Sequence, residues 1–423
     1  MYVPTQDYLV SIDVGTTKIC TLVAAYHEDG KMSVIGVGNV PSQGIRRGVV
    51  VNIEETISSI SASLEEAERM AGYPIQSAYV SIGGGHISSL NSRGVIAVSR
   101  ADGEISHEDV ARVIEAAQAI SLPMNREILH VLPRGFIVDG QEGVENPAGM
   151  TGVRLEVETH IVNAASSSVR NLAKCVQQTG VEVEEVVLSP IAAAEAVLSS
   201  EDRELGVVLL DIGGGTTDIA IFVEGSIWHS TVLPVGSNHI TNDIAIGLRI
   251  PFEAAEKIKK NTTLSMPTFE EGTLFEDVNR NNTIDLSHYG VENGSQVLRS
   301  DVNSIIEARL SEMFDMVGQE IKKAGQEGLL AGGCVMIGGG SLLSGIVDSA
   351  KENLRLPVRI GKPRDVIGLA DEINSPLYVT PIGLLLWGMK SRRQREMVRV
   401  SPIQLWSNAF GKVRGWVKRS FFP

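Results

Sequence analysis

The octapeptide Asp211-Ile-Gly-Gly-Gly-Thr-Thr-Asp218 sets three glycines between two aspartates, directly after the apolar run LGVVLL. Glycines let a backbone approach a ligand closely and turn its amides toward it. The carboxylates of Asp211 and Asp218 suit a hydrated cation, and Thr216 and Thr217 add hydroxyls. Together these groups fit a nucleotide phosphate with magnesium, although an ordinary glycine-rich hairpin would read the same way. The pattern recurs near the N-terminus: YLVSIDVGTTKICTLVAA over 8–25 matches GVVLLDIGGGTTDIAIFV over 206–223. Gly15, Thr16, Thr17 and Lys18 in the first copy, and Gly213, Gly214, Gly215 and Thr216 in the second, are therefore candidate phosphate contacts. Asp13 and Asp211 would share one cation, through water. A further glycine element, Gly338-Gly339-Gly340, follows the short apolar strand VMI and suits close approach of a flat, uncharged group such as adenosine.

Each hairpin needs an apolar strand on either side. Residues 206–210 and 219–223 supply them for the second copy, so the repeat implies two related subdomains facing one cleft. Apolar positions every three to four residues predict a helix over Ile53–Ala71. Segments 94–98, 109–119, 127–133 and 153–162 suggest strand, helix, strand and strand of a small insertion that carries no catalytic cluster. Residues 166–180 read as a helix returning to the first subdomain, and the small-residue run LSPIAAAEAVLS over 188–199 as a helix linking the halves. Helices are also expected at 237–247 and 252–261; on the latter Glu256 and Lys259 share a face. The polar stretch 262–299, with EEGTLFED and NRNN, reads as loops around short strands.

A chain of 423 residues with 43% hydrophobic and 21% charged content has material for two or more domains. Cys20, Cys175 and Cys334 lie far apart in apolar surroundings without metal-ligand spacing, and read as buried thiols. A net charge of -14 argues against a general nucleic-acid binder, but residues 390–423 hold nine Lys or Arg against Glu396 alone. Within 403–421, Trp406, Ala409, Phe410, Trp416, Val417 and Phe421 fall within about 80° of Val413 on a helical projection, with Lys412, Arg414, Lys418 and Arg419 at about 100° or beyond. Such a helix lies in the headgroup plane of an anionic bilayer; docking on the protein's own core is the other reading. The basic stretch 390–402 reads as a flexible tether, which favours the membrane. The N-terminus lacks a secretory pattern and no run approaches the ~20 apolar residues of a membrane span, so the expected location is cytoplasmic.

The three glycine elements, in this order, resemble the two phosphate loops and the adenosine loop of the actin/heat-shock ATPase/sugar-kinase superfamily. Within it, SIDVGTTKI, VPSQGIRRGVVVN, YVSIGGGHISSLNSRG, ENPAGMTGVRLEVETHIV, VLPVGSNHITNDIAIGL, VMIGGGSLLSGI, TPIGLLLWG and the amphipathic end make nearly the whole chain similar to the FtsA family of bacterial actin-like division proteins. The resemblance implies an α/β, actin-like two-lobed ATPase fold with duplicated sheet subdomains around a nucleotide cleft, plus an FtsA-type inserted subdomain. Its division of the chain is 1–83 with 163–204, the insertion 84–162, a second lobe 205–389 with an outer part at about 237–330, the linker 390–402 and the terminal helix 403–423. It implies ATP and Mg2+ as cofactors, with Glu256 and Lys259 beside the ribose and base; an exposed ion pair is the other reading. It implies membrane contact through Trp406, Phe410, Lys412, Val413, Arg414, Trp416, Val417, Lys418, Arg419 and Phe421. The implied partners are FtsZ, other copies of the chain, later divisome proteins and an anionic phospholipid membrane, not nucleic acid, at the cytoplasmic face of the membrane at the septum.

Phosphoryl transfer to water also needs a group that orients the attacking water. Heat-shock ATPases place a glutamate before the proline of the linking helix, where this chain has Ser189 before Pro190, and actin a glutamine near the positions of Ala194 and Glu195. Glu195 is the one candidate, and weak or absent ATPase activity is expected. A sugar kinase would need a further substrate pocket with a catalytic Asp, which the sequence does not display. A pilus-assembly scaffold of the PilM type shares the insertion but not the terminal lipid helix.

Overall fold

Strands that are apolar on both faces need a sheet covered on both sides, and both Asp-Gly hairpins occupy matching places in two such sheets. The computed structural model describes residues 8–26, 32–262, 283–291, 296–364, 367–369 and 373–400. In the first sheet, Tyr8–Val14, Lys18–Tyr26 and Met32–Pro41 form an antiparallel meander; Ser77–Ile82 and Glu182–Leu188 then add in parallel on the far side of Tyr8–Val14. In the second, Val207–Ile212, Thr217–Val223 and Ser226–Leu233 form the meander, and Gly333–Ile337 and Val358–Ile360 add in parallel. The repeat read from 8–25 and 206–223 is thus a repeat of whole sheets. The short strand Ile367–Gly368 extends the first sheet at its other edge.

Helix ends follow local chemistry. Ile53–Ala71 starts where Asn52 accepts a hydrogen bond from the Glu55 N–H and stops at Gly72, whose φ of 77° suits a residue without Cβ. Its buried stripe, with Ile60, Leu64 and Ala67, packs on the first sheet so closely that Cβ atoms at Gly36 and Gly38 would meet helix backbone at 2.6 and 1.9 Å.

The insertion has a core of its own, in which Ile105, Val110, Val113, Phe136, Leu155 and Val157 are buried. Its sheet runs Ser88–Ala97, Arg154–Ala165, Arg126–Val138, Gln141–Val144, and the helix His107–Gln118 starts from a Ser106/Asp109 capping box. In the second lobe, Ser237–Leu248, Phe252–Asn261 and Arg299–Lys323 pack together over Thr283–Asp285 paired with Gln296–Leu298. Part of the expected loop region at 262–299 lies outside the described residues.

Two helices cross between the halves, Ser189–Val197 and Val379–Val400. The second corrects an expectation. The stretch read as a flexible linker from 390 is helical as far as Val400, because Lys, Arg, Gln, Glu and Met are good helix formers and nothing breaks the run before Pro402. Its first turn beyond Met389 is tied to the body, Lys390 to Glu195 and Arg393 to the Tyr26 hydroxyl. Among the described residues no helix is long and apolar enough to cross a membrane. The ten residues expected to contact lipid between Trp406 and Phe421 lie outside the described residues.

Candidate functional site

The two hairpins close in the same way. Gly15 N–H donates to the Lys18 carbonyl at 3.0 Å, and Gly213 N–H to the Thr216 carbonyl at 2.9 Å. They also face each other: a Cβ at Gly214 would lie 2.2 Å from Thr17 Cγ2, and one at Gly215 2.9 Å from Thr16 Cγ2. Glycine at both positions is therefore what lets the tips meet. The helix Ser237–Leu248 starts against the second hairpin, with Ser237 and Asn238 N–H groups donating to the Gly213 and Gly214 carbonyls.

Asp13, Asp211 and Asp218 line the floor between the tips, Asp13 and Asp211 partly open and Asp218 buried. Asp13 Oδ1 accepts from the Ser81 hydroxyl at 2.7 Å, and Asp211 Oδ2 from the Thr380 hydroxyl at 2.9 Å. Enclosure raises all three carboxyl pKa values. For Asp211 enclosure and then the Asp13 charge raise it to about 6, against the lowering bond from Thr380 and the Lys18 charge. Asp13 is raised by enclosure, with Lys18 and Ser81 opposing. Asp218 is raised well above the usual range by enclosure and by Asp211, while a hydrogen bond from the Gly84 N–H opposes. Its Oδ1 is buried with no hydrogen-bond partner.

An orphaned carboxylate oxygen beside two more carboxylates fits a cation. Among the described residues no group of three acids, histidines or cysteines is close enough to bind a metal directly, so the set fits a hydrated Mg2+ rather than a caged one. Lys18 reaches away from the tips: its ammonium donates to the Leu377 carbonyl and lies 5.0 Å from the Tyr378 ring centroid.

The Gly338–Gly340 loop joins the same floor. Gly338 has φ 80°, and a Cβ there would lie 2.3 Å from Asp211 Oδ1; one on Gly340 would lie 2.3 Å from Ile212 Cγ2. These glycines thus have a packing reason, and Gly339 is hemmed only by Leu377 at 3.3 Å. Glu256 and Lys259 do form an ion pair, at 2.7 Å, but it is not at the surface. Lys259 is 6% exposed and donates to the Thr241 hydroxyl and the Ser237 carbonyl, which ties the pair to the helix that starts on the second hairpin. Burial lowers the Lys259 pKa, and bonds from Lys259 and Thr241 outweigh the burial of Glu256 and lower its pKa.

Glu195 is not brought to the cleft. Ser189, at the start of its helix, donates to the Ile82 carbonyl and adjoins Gly83 and Asp218, whereas Glu195 is six residues, about 9 Å, further along. Its carboxylate pairs with Arg203 and Lys390. Sequence reasoning missed Ser81 and Thr380, which hold the Asp13 and Asp211 carboxylates, and the loop Gly83-Gly84-Gly85, which sits against Asp218. The loop had a signal: a third run of three glycines after an apolar strand, SAYVSI.

With this geometry in place, comparison with known proteins places the chain. Residues 84–163 match the family described as "SHS2 domain inserted in FTSA", and residues 208–383 match "Cell division protein FtsA". "Cell division protein FtsA" of Pseudomonas aeruginosa is 39% identical over 418 residues, 98% of each chain. The protein of the same name from Borreliella burgdorferi is also 39% identical over 418 residues, 99% of this chain and 100% of its own. Among solved structures, a chain of the "PilM-PilN type IV pilus biogenesis complex" superposes with a TM-score of 0.66 at 14% identity, covering 91% of this chain and 99% of its own, a likeness of fold.

Proposed function

The chain belongs to the FtsA family of cell division proteins and has that family's actin-like scaffolding role, and on this premise we propose that it binds ATP with Mg2+ between its two hairpins, polymerises, and anchors FtsZ to the inner face of the cytoplasmic membrane while later septal proteins are recruited. The observation that carries the nucleotide part is the meeting of two like hairpins, from duplicated sheets, over a floor of three carboxylates with one oxygen unpartnered. Amides of Thr16, Thr17 and of Gly214, Gly215, Thr216 would hold phosphates, in hairpins that the Gly15 and Gly213 N–H groups close, Asp13 and Asp211 a hydrated Mg2+, and Gly338–Gly340 with Glu256 and Lys259 the adenosine. When bound, the cation offsets phosphate charge.

Glu195, committed to Arg203 and Lys390, supplies no water-orienting group. The nucleotide would then act chiefly by holding the lobes together for assembly. Membrane attachment rests on the amphipathic pattern of 403–421, and the family's FtsZ contact would lie on the outer part of the second lobe. The test is recruitment of purified FtsZ to anionic lipid vesicles by the full chain and by a chain ending at Val400, which keeps the whole final described helix. We expect recruitment by the full chain alone. Vesicle binding without FtsZ would move the assignment to a scaffold of another envelope machine, and equal binding by both chains would remove the terminal helix from the account.

A further inference from the structure

The turn Arg47-Gly48 belongs to none of the groups assigned above, yet it is built into the same cleft. Ile45–Arg46 and Val49–Val50 pair as a minimal hairpin with these two residues at its tip, at φ 50° and 73°. A two-residue turn with positive φ at both positions favours Asn and Gly. A long side chain at the first is held there against its preference, by its surroundings. Those surroundings are three loops of the site. Gly48 N–H donates to Thr16 Oγ1 at 3.1 Å. A Cβ on Gly48 would lie 2.7 Å from Gly84 Cα, and one on Gly215 3.2 Å from Arg47 Cα. The Arg47 backbone thus sits where the first hairpin, the second hairpin and the Gly83–Gly85 loop converge.

Charge at this point is unbalanced. Asp13, Asp211 and Asp218 face the cleft, and the ammonium of Lys18, the lysine of the hairpins, is occupied by the Leu377 carbonyl and the Tyr378 ring. A nucleoside triphosphate keeps net negative charge even with one Mg2+, so carboxylates alone would repel it. Arg47 is exposed and has no hydrogen-bond or ionic partner among the described residues. Its planar fork of donors matches phosphate oxygens. It adjoins the hairpin tips, whereas the Gly338–Gly340 loop packs at the strand end on Asp211 and Ile212; of a nucleotide spanning the two, it adjoins the phosphate end.

We propose that Arg47 binds the terminal phosphate of the nucleotide, so that the turn at 47–48 distinguishes a triphosphate from a diphosphate. The proposal rests on the nucleotide reading of the cleft. Its test is a titration of the full chain, with Mg2+, against ATP and against ADP, for the wild type, Arg47→Gly and Arg47→Lys. Glycine suits the turn, so thermal stability without nucleotide should hold or rise. Loss of a charge-assisted contact should weaken ATP about tenfold or more, ADP far less, with partial recovery in Arg47→Lys. ATP and ADP binding by Arg47→Gly as in the wild type would make Arg47 a turn residue only, and equal loss for both nucleotides would overturn the terminal-phosphate assignment. A wild type that binds neither nucleotide would instead overturn the reading of the cleft itself, and the assignment of Arg47 with it.

Discussion

Asp211 shows how an enclosed carboxyl costs stability. Its carboxyl titrates at about 6 in the folded chain against an ordinary value of 3.8, so the folded state holds this proton more tightly than the unfolded one. Stability from the group is therefore greatest below the unfolded pKa and is lost as pH rises through about 6. Asp211→Asn cannot ionise but still accepts from Thr380. Without nucleotide it should melt with the wild type near pH ~4 and several degrees higher near pH ~8, while losing Mg2+-dependent nucleotide affinity. Paired melting curves at the two pH values check this; an equal difference at both would detach the effect from ionisation.

Among the elements, the contact between the linking helices has almost no tolerance. Ser189–Val197 and Val379–Val400 meet backbone to backbone at Gly383, where a Cβ would lie 2.0 Å from the Ala192 carbonyl oxygen. The alanines of IAAAEA, buried throughout, are small for the same reason. Gly383→Ala must push the helices apart, at a cost of about 1–3 kcal/mol by urea unfolding. Gly318→Ala, on a helix with open space around that position, should cost nothing and gain a few tenths.

At the scale of the molecule, the insertion is joined to the second lobe by a polar seam. His160 donates from Nδ1 to Asn91 and accepts the Ser230 hydroxyl at Nε2, at 2.8 and 2.9 Å. Ser89 donates to the Ser230 carbonyl, and Arg134 lies 3.7 Å from the Trp228 ring centroid. Burial first, then His229, Arg134 and His130, lower the His160 pKa to about 3, and burial lowers that of His130 to about 4. Both depressed values place their stability above the unfolded pKa near 6.5, to be lost as pH falls. Acid should therefore loosen the seam before the lobes: hydrogen-exchange protection over Ser226–Leu233, taken relative to the intrinsic amide rate at each pH, should fall between pH ~6 and ~4, less so in His160→Gln. Protection that stays constant over that range would show that the seam does not hold the two parts. This titration runs opposite to that of Asp211, and comparing Asp211→Asn with the wild type at each pH cancels it.

The sequence by itself determined the two hairpins, the first linking helix and the third glycine loop, because each depends on a local pattern: apolar strand and glycines for the loops, a run of small residues for the helix. Ile53–Ala71 was legible to the residue, since its Asn and Gly caps are local too. Only the tertiary structure decided which acids matter and what holds them. Ser81 and Thr380 reach Asp13 and Asp211 from 68 and 169 residues away, and Glu195 is claimed by Arg203 and Lys390 across a helix face. Glu256 and Lys259 are a pair on either reading, and only the packed helices show that the pair is tied to Thr241. Hydrogen bonds and ion pairs between distant segments leave no periodicity in the chain, so partnership, burial and the resulting pKa shifts exist only once the sheets have packed.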